Sequence, residues 1–318
     1  MDRRNFLKSL AAAGAAVTIK SSGAMDVMAA TNSAMPEMAP AAAAASADLV
    51  AVMNGEPAAM LRKALETMGG IGQYVKKGNK VVIKPNIGWD RTPELAANTN
   101  PELVAEMVKQ CLAAGASEVK VFDHSCDEWT KCYDHSGIQK AVKDAGGTMV
   151  PANEESYYQE ISLPKGKVLK KAKVHKAILE CDVWFNMPVL KNHGGARLTM
   201  AMKNHMGIVW DRRAFHSMGL QECIADITTI SKPAALQIVD AYRIITSNGP
   251  QGRDAKDVVL TKALFASKDI VAVDTAAGKF FNQFKSIPVD TVTHIAKGEA
   301  LGMGTTDLES IKVERIKM

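Results

Sequence analysis

Aromatic residues are scarce in this 318-residue chain: four Trp, five Tyr and eight Phe make up 5% of it. The basic residues are dispersed and do not interleave with those few rings, which speaks against nucleic-acid recognition. The formal net charge of +5 is mild and points to no polyanionic partner. No apolar run reaches the roughly 20 residues that a bilayer crossing needs, so no membrane span is expected in the mature chain. No GxGxxG follows a strand pattern, no Walker-type loop occurs and no GxSxG is found, which leaves nucleotide cofactors and serine hydrolysis without direct support. The five cysteines, Cys111, Cys126, Cys132, Cys181 and Cys223, match neither a ferredoxin run nor a zinc ribbon, so a tetra-cysteine iron–sulfur cluster is not expected. Cys126 and Cys132 are the nearest pair for a single disulfide. Buried free thiols are an equal alternative, above all for Cys111 and Cys181, which sit in apolar patterns.

The first residues carry a different signal. Arg3-Arg4-Asn5-Phe6-Leu7-Lys8 is a twin-arginine pattern, followed by a short apolar run from Leu10 to Ile19 and then small residues. Residues 1–47 are therefore expected to be a twin-arginine signal peptide and linker, cleaved after Ala30 or near Ala47. This implies the twin-arginine export machinery as a partner and a periplasmic or otherwise exported location. Passengers of that route tend to fold before crossing, which favours a metal or redox cofactor.

Residues 48–318 read as a single large α/β domain. Strand patterns at Leu49–Met53, Lys80–Asn86, Glu118–Asp123 and Thr148–Val150 alternate with helix patterns at Ala58–Met68, Pro101–Ala114 and Ile138–Ala145. The spacing predicts parallel βαβ units, hence a mostly parallel sheet with helices on both faces. Further on, Val168–Leu179 fits strand or helix. Asp182–Met187, Ala235–Val239, Lys262–Ala266 and Ile311–Ile316 read as strands. Arg197–Met206, Leu220–Ile230, Asp269–Phe284 and Val289–Lys297 read as helices.

Within this frame, Cys181 to His216 concentrates the polar chemistry: two triplets, Lys191-Asn192-His193 and Lys203-Asn204-His205, lie in a stretch otherwise rich in Met, Val, Ile, Trp and Gly. So many donors in an apolar segment suggest the rim and floor of a pocket for something anionic or metal-bound. Ligands of open α/β sheets gather beyond the carboxyl ends of the strands. That rule adds Lys84 and Asn86, Asp123, and Asp240. Lys84, Asn86, Lys191 and Asn204 are expected to hold an anion, with Arg253 from the glycine-bracketed loop Asn248–Arg253 as a further clamp. His193, His205 and Lys203 are the candidates for proton transfer. Asp123 and Asp240 are the candidates to orient a histidine or a divalent metal, with Asp274 a third carboxylate within reach if they converge. Each has a plainer reading: a lysine that snorkels to water, a structural histidine, a turn cap at Asp123-His124-Ser125, a surface turn at Gly249–Gly252. The function expected is an exported enzyme acting on a small anionic substrate with metal or redox assistance. The alternative is a non-catalytic periplasmic binder of a cofactor, metal or anionic ligand.

Together these stretches resemble the bacterial and archaeal family called domain of unknown function 362, from about Val81 to Phe281. The resemblance rests on Val81–Asn86, Gly115-Ala116 ahead of the next strand, Met187–His193 and Ala201–Gly207, and continues through Ile238-Val239-Asp240, Asn248-Gly249-Pro250 and Ala266–Asp274. It implies an α/β fold with a shared pocket and no general activity. Many members carry a ferredoxin-like cysteine module, which this sequence lacks.

Overall fold

A computed structural model describes residues 46–318. The twin-arginine stretch, the first cleavage point and nearly all of the expected linker lie outside the described residues. The strands are β1 (Leu49–Met53), β2 (Lys80–Pro85), β3 (Glu118–Val121), β4 (Thr148–Met149), β5 (Tyr158–Ser162), β6 (Lys171–His175), β7 (Val183–Met187), β8 (Val189–His193), β9 (Arg197–Thr199), β10 (Leu236–Ile245), β11 (Val258–Ser267) and β12 (Val313–Lys317). The helices are α1 (Pro57–Thr67), α2 (Pro101–Ala113), α3 (Trp129–His135), α4 (Ile138–Asp144), α5 (Lys176–Glu180), α6 (Ala201–Asn204), α7 (Ala214–Met218), α8 (Leu220–Ile227), α9 (Ile270–Phe281) and α10 (His294–Ala300).

Ten strands form one mixed sheet along the path β12-β1-β11-β10-β7-β2-β3-β4, with β8 paired to β10 and β9 to β8; β5 and β6 form a separate hairpin. The β10-β7-β2-β3-β4 run is parallel, while β11 runs antiparallel to both of its neighbours. Side chains alternate across a strand, so the continuous apolar runs supply both faces. Val81, Ile83, Phe185 and Ile238 join the core under α1, α2 and α4. Val82, Trp184 and Val239 join the core under α6, α8 and α9. Helices α1, α2, α4, α8 and α9 begin within one residue of where the sequence places them. Pro101 opens α2 behind Asn100, whose side chain accepts from Glu102 N.

Several segments differ from the sequence reading: Val289–Lys297 is a 3-10 turn at Val289–Thr291 followed by α10 from His294, and β11 starts at Val258, four residues before the expected Lys262. Arg197–Met206 is not one helix: Arg197–Thr199 pairs with β8, and only Ala201–Asn204 is α-helical before a 3-10 turn. Met200 is fully extended, with φ −151°, and the pairing of Leu198 with Asn192 overrides local helix preference. The ambiguous Val168–Leu179 is the strand β6 followed at once by α5. β10 runs to Ile245, past the expected Val239, because a bulge between Ala241 and Arg243 bends it while the pairing with β11 continues.

Candidate functional site

The site starts from a lysine in a buried strand. Val82 faces the α6 side of the sheet, so Lys84, two residues on, faces the same way and is fully buried. Its ammonium meets Asp123 Oδ1 at 2.8 Å and donates to Asn204 Oδ1 at 2.8 Å. Asp123 lies just past β3, where Tyr133 pins its peptide from both sides: its N–H donates to the phenol at 3.0 Å, and the phenol donates to its carbonyl at 2.9 Å. The pair needs Gly207. A Cβ there would sit 1.9 Å from Asp123 Oδ1 and 2.4 Å from Lys84 Nζ. Burial pushes the Lys84 pKa down, and the Asp123 charge opposes that shift.

From this pair a chain of amides crosses the sheet. Gln237 Oε1 accepts from Asn186 Nδ2 at 2.7 Å, and Asn186 Oδ1 accepts from Asn204 Nδ2 at 2.8 Å. Asn204 Oδ1 also accepts from Asn86 Nδ2 at 3.0 Å, and Asn86 Oδ1 accepts from Lys191 Nζ at 3.0 Å. Each amide is oriented by the next, so the ladder fixes Lys84 and Lys191 against a common wall. Lys191 also donates to the Ala97 carbonyl. Burial, followed by the neighbouring Lys203 charge, lowers its pKa to about 7.

These residues border a cavity of about 300 Å³ at the carboxyl ends of β2, β3 and β8. Lys84, Asn86, Asp123, Lys191, His193, Lys203 and Asn204 all line it, as do Cys126, Thr199, Arg212, Arg213 and His216. Five cations thus surround the space with a single carboxylate among them. Strand alternation explains part of the set: Lys191 and His193 share one face of β8, and Thr199 is the cross-strand partner of Lys191. His193 Nδ1 accepts from Ala196 N at 3.1 Å, so its neutral ring carries the proton on Nε2. Burial and the charges of Lys203 and Lys191 keep that ring neutral. Among the described residues no group pairs with the Lys203 ammonium, whose pKa burial and the nearby Arg212 and Lys84 charges lower to about 8, against an opposing pull from Cys126.

Four sequence-predicted residues lie elsewhere. His205 is turned into the core, its ring 5.2 Å from Trp184, and neither ring nitrogen has a partner among the described residues. Asp240 accepts from Asn100 N at 2.7 Å and Tyr242 N at 2.9 Å, tying the start of α2 to β10. Asp274 accepts from Ala201 N at 2.7 Å and Met202 N at 2.9 Å, holding the start of α6. These two carboxylates hold backbone amides, so neither meets Asp123 at the cavity. Arg253 is exposed; its loop is organised instead by Asp257, which accepts from Ser247, Asn248 and Arg253 N. Only Pro250 of that loop reaches the cavity. Among the described residues no three His, Cys, Asp or Glu side chains gather as a metal-holding group. All five cysteines are free; Cys126 is exposed and Cys132 buried.

Sequence reasoning missed Asn186, Gln237, Thr199, Cys126, Arg212 and Arg213. Asn186 and Gln237 had a signal, an amide inside an apolar strand run, where burial demands a partner. Arg212 is used up locally, its guanidinium donating to the carbonyls of His124 and Ser125.

Comparison with known proteins follows the same lines. The thylakoid-associated protein sll1697 of Synechocystis sp. is 26% identical over 263 residues, which cover 80% of this chain and 78% of that one. A protein of Thermotoga maritima gives a TM-score of 0.48 at 12% identity, covering 73% of this chain and 60% of the other. The lactate racemase apoprotein of Thermoanaerobacterium thermosaccharolyticum gives 0.41 at 14%, covering 73% of this chain and 56% of its own. Residues 1–24 match the twin-arginine translocation pathway signal sequence, so the chain carries the address for that export route. Residues 81–279, the span that contains the whole amide ladder and every lining cation, match domain of unknown function 362, and the chain belongs to that family.

Proposed function

We propose that this chain is an exported enzyme that draws a small anionic molecule into the cavity and exchanges a proton with it. The observation that supports this reading is the imbalance of charge: Lys84, Lys191, Lys203, Arg212 and Arg213 against Asp123 alone. Cations held together without counter-charge destabilise the free protein, and an anion relieves that repulsion. Lys203 is the proton carrier. Its pKa near 8 leaves part of it neutral at physiological pH, and a lysine so tuned acts as base or acid. His193 presents an Nε2–H donor of fixed tautomer, suited to orient the anion rather than to take a proton. His205, buried against Trp184 and absent from the cavity lining, has no part in this proposal.

The test is native mass spectrometry of the full chain isolated from the exporting cell, wild type beside Lys203→Met. A small anion retained by the first and lost from the second supports the site. Chemical change of that anion on incubation makes the protein an enzyme, and its unchanged persistence makes it a binder. Equal retention by both proteins removes the site.

A further inference from the structure

Of the cations lining the cavity, three are engaged by the protein itself: Lys84 meets Asp123 and Asn204, Lys191 donates to Asn86 and the Ala97 carbonyl, and Arg212 donates to two further carbonyls. Lys203 differs. Its side chain lines the same cavity and keeps part of its surface exposed, and its ammonium has no partner among the described residues. The backbone beneath it is fixed, because Asn204 is bonded to Lys84, Asn86 and Asn186 while Asp274 holds the first amides of the turn. A flexible four-carbon arm on a rigid base can carry its amine to a bound molecule. The amines of Lys84 and Lys191, already bonded to the wall, are not free to do so.

Resting on the reading of this cavity as an anion site, we infer that Lys203 is a covalent nucleophile and that its substrate is an oxo acid, a small carboxylate bearing a ketone or aldehyde. The surrounding cations attract the carboxylate, and the Lys203 amine attacks the carbonyl carbon. The step balances as a condensation: the nitrogen gives up two hydrogens, the carbonyl oxygen leaves with them as water, and a C=N bond replaces the C=O bond. It needs no oxidant or reductant. An amine attacks only when neutral. Burial lowers the Lys203 pKa to about 8, with the Arg212 and Lys84 charges adding to the shift and Cys126 opposing it, so the neutral form is available near physiological pH. The cavity, about 300 Å³, is at the small end for a ligand site and suits a molecule of a few carbons. An imine also links anion binding to proton exchange. Once protonated it draws electrons from the adjacent carbon and makes the C–H bonds there acidic.

The experiment is cyanoborohydride trapping on the dialysed full chain, wild type beside Lys203→Arg. Each protein is incubated with pyruvate, with levulinate, or with 2-pentanone, the neutral counterpart of levulinate, then reduced and read by peptide mass spectrometry. The Lys203 peptide should gain the mass of the acid less one oxygen atom with at least one of the two acids, at least about tenfold more than with 2-pentanone. Lys203→Arg keeps the charge but cannot form the imine, so it should lose the label while native mass spectrometry still shows the anion retained on isolation. Label equal to that of 2-pentanone, or unchanged in Lys203→Arg, overturns the inference. Absence of label in a protein that retains an anion on isolation overturns it too, and the anion site then stands. Absence of both label and retained anion removes the two together.

Discussion

Lys203 and His205 stand two positions apart in the same motif and have opposite fates. Among the described residues the Lys203 ammonium at the cavity has no partner, and the His205 ring is buried against Trp184 with neither nitrogen bonded. Replacing His205 with Leu should therefore raise stability by about 1 kcal/mol in urea unfolding, since a buried polar group without a partner is removed at similar volume. Anion affinity should not change, and a loss of binding would return His205 to the site. For Lys203 the sign runs through pH. The folded-state pKa values of Lys191 and Lys203, about 7 and about 8, lie below the ordinary lysine value of about 10.4. The unfolded chain then binds more protons above pH 7, and stability rises with pH through that interval. Burial raises the thiols of Cys111, Cys132, Cys181 and Cys223, which has the opposite effect once pH passes the free-thiol value of about 8.5. Asp274, whose carboxyl burial raises to about 7, opposes the rise at the lower end of that interval, so melting temperature should climb most clearly from about pH 7.5 to 8.5, and Lys203→Met should flatten the climb.

At the scale of the element, the site depends on how α6 is held. This helix has a single turn and cannot persist on its own, so Asp274 from α9 binds its first two amides. Asp274→Ala should cost about 2 kcal/mol, as for a charged cap lost in a buried place. It should also weaken anion binding, because Lys203 and Asn204 ride on that turn. Gly207→Ala is the harsher change. The added methyl displaces the Lys84–Asp123 pair, and breaking a buried ion pair costs roughly 3–5 kcal/mol. Both are read by urea unfolding, and a Gly207→Ala protein as stable as wild type would contradict the packing described. This is also where the sequence was least legible. Short apolar, β-branched runs made β2, β3 and β7 readable, and with them Lys84, Asn86 and Asp123 at their ends. Arg197–Met206 has helix-forming residues throughout and no mark for the strand pairing of Arg197–Thr199, so Thr199 stayed hidden. Asp240, Asp274 and Arg253 had the right residue type for the site. Their side-chain direction was decided by distant backbone amides and local loop geometry, which spacing does not encode.

Across the whole molecule, a mostly parallel sheet brings residues more than a hundred positions apart to one edge, Lys84 with Asn204 and Asn86 with Lys191. The export signal places this cavity outside the cytoplasm, in a chain of the domain of unknown function 362 family. The central claim is that the cavity is electrostatically positive, and the molecule contains its own reporter, because Cys126 is exposed at the cavity while the other four cysteines are buried. The direct measurement compares the alkylation rates of Cys126 with anionic iodoacetate and neutral iodoacetamide, using a free small thiol as reference. A positive cavity should raise the iodoacetate-to-iodoacetamide ratio at least about tenfold over the free thiol, with the excess falling as salt is added or Lys203 becomes Met. A ratio equal to that of the free thiol, indifferent to salt and to Lys203, would contradict the account.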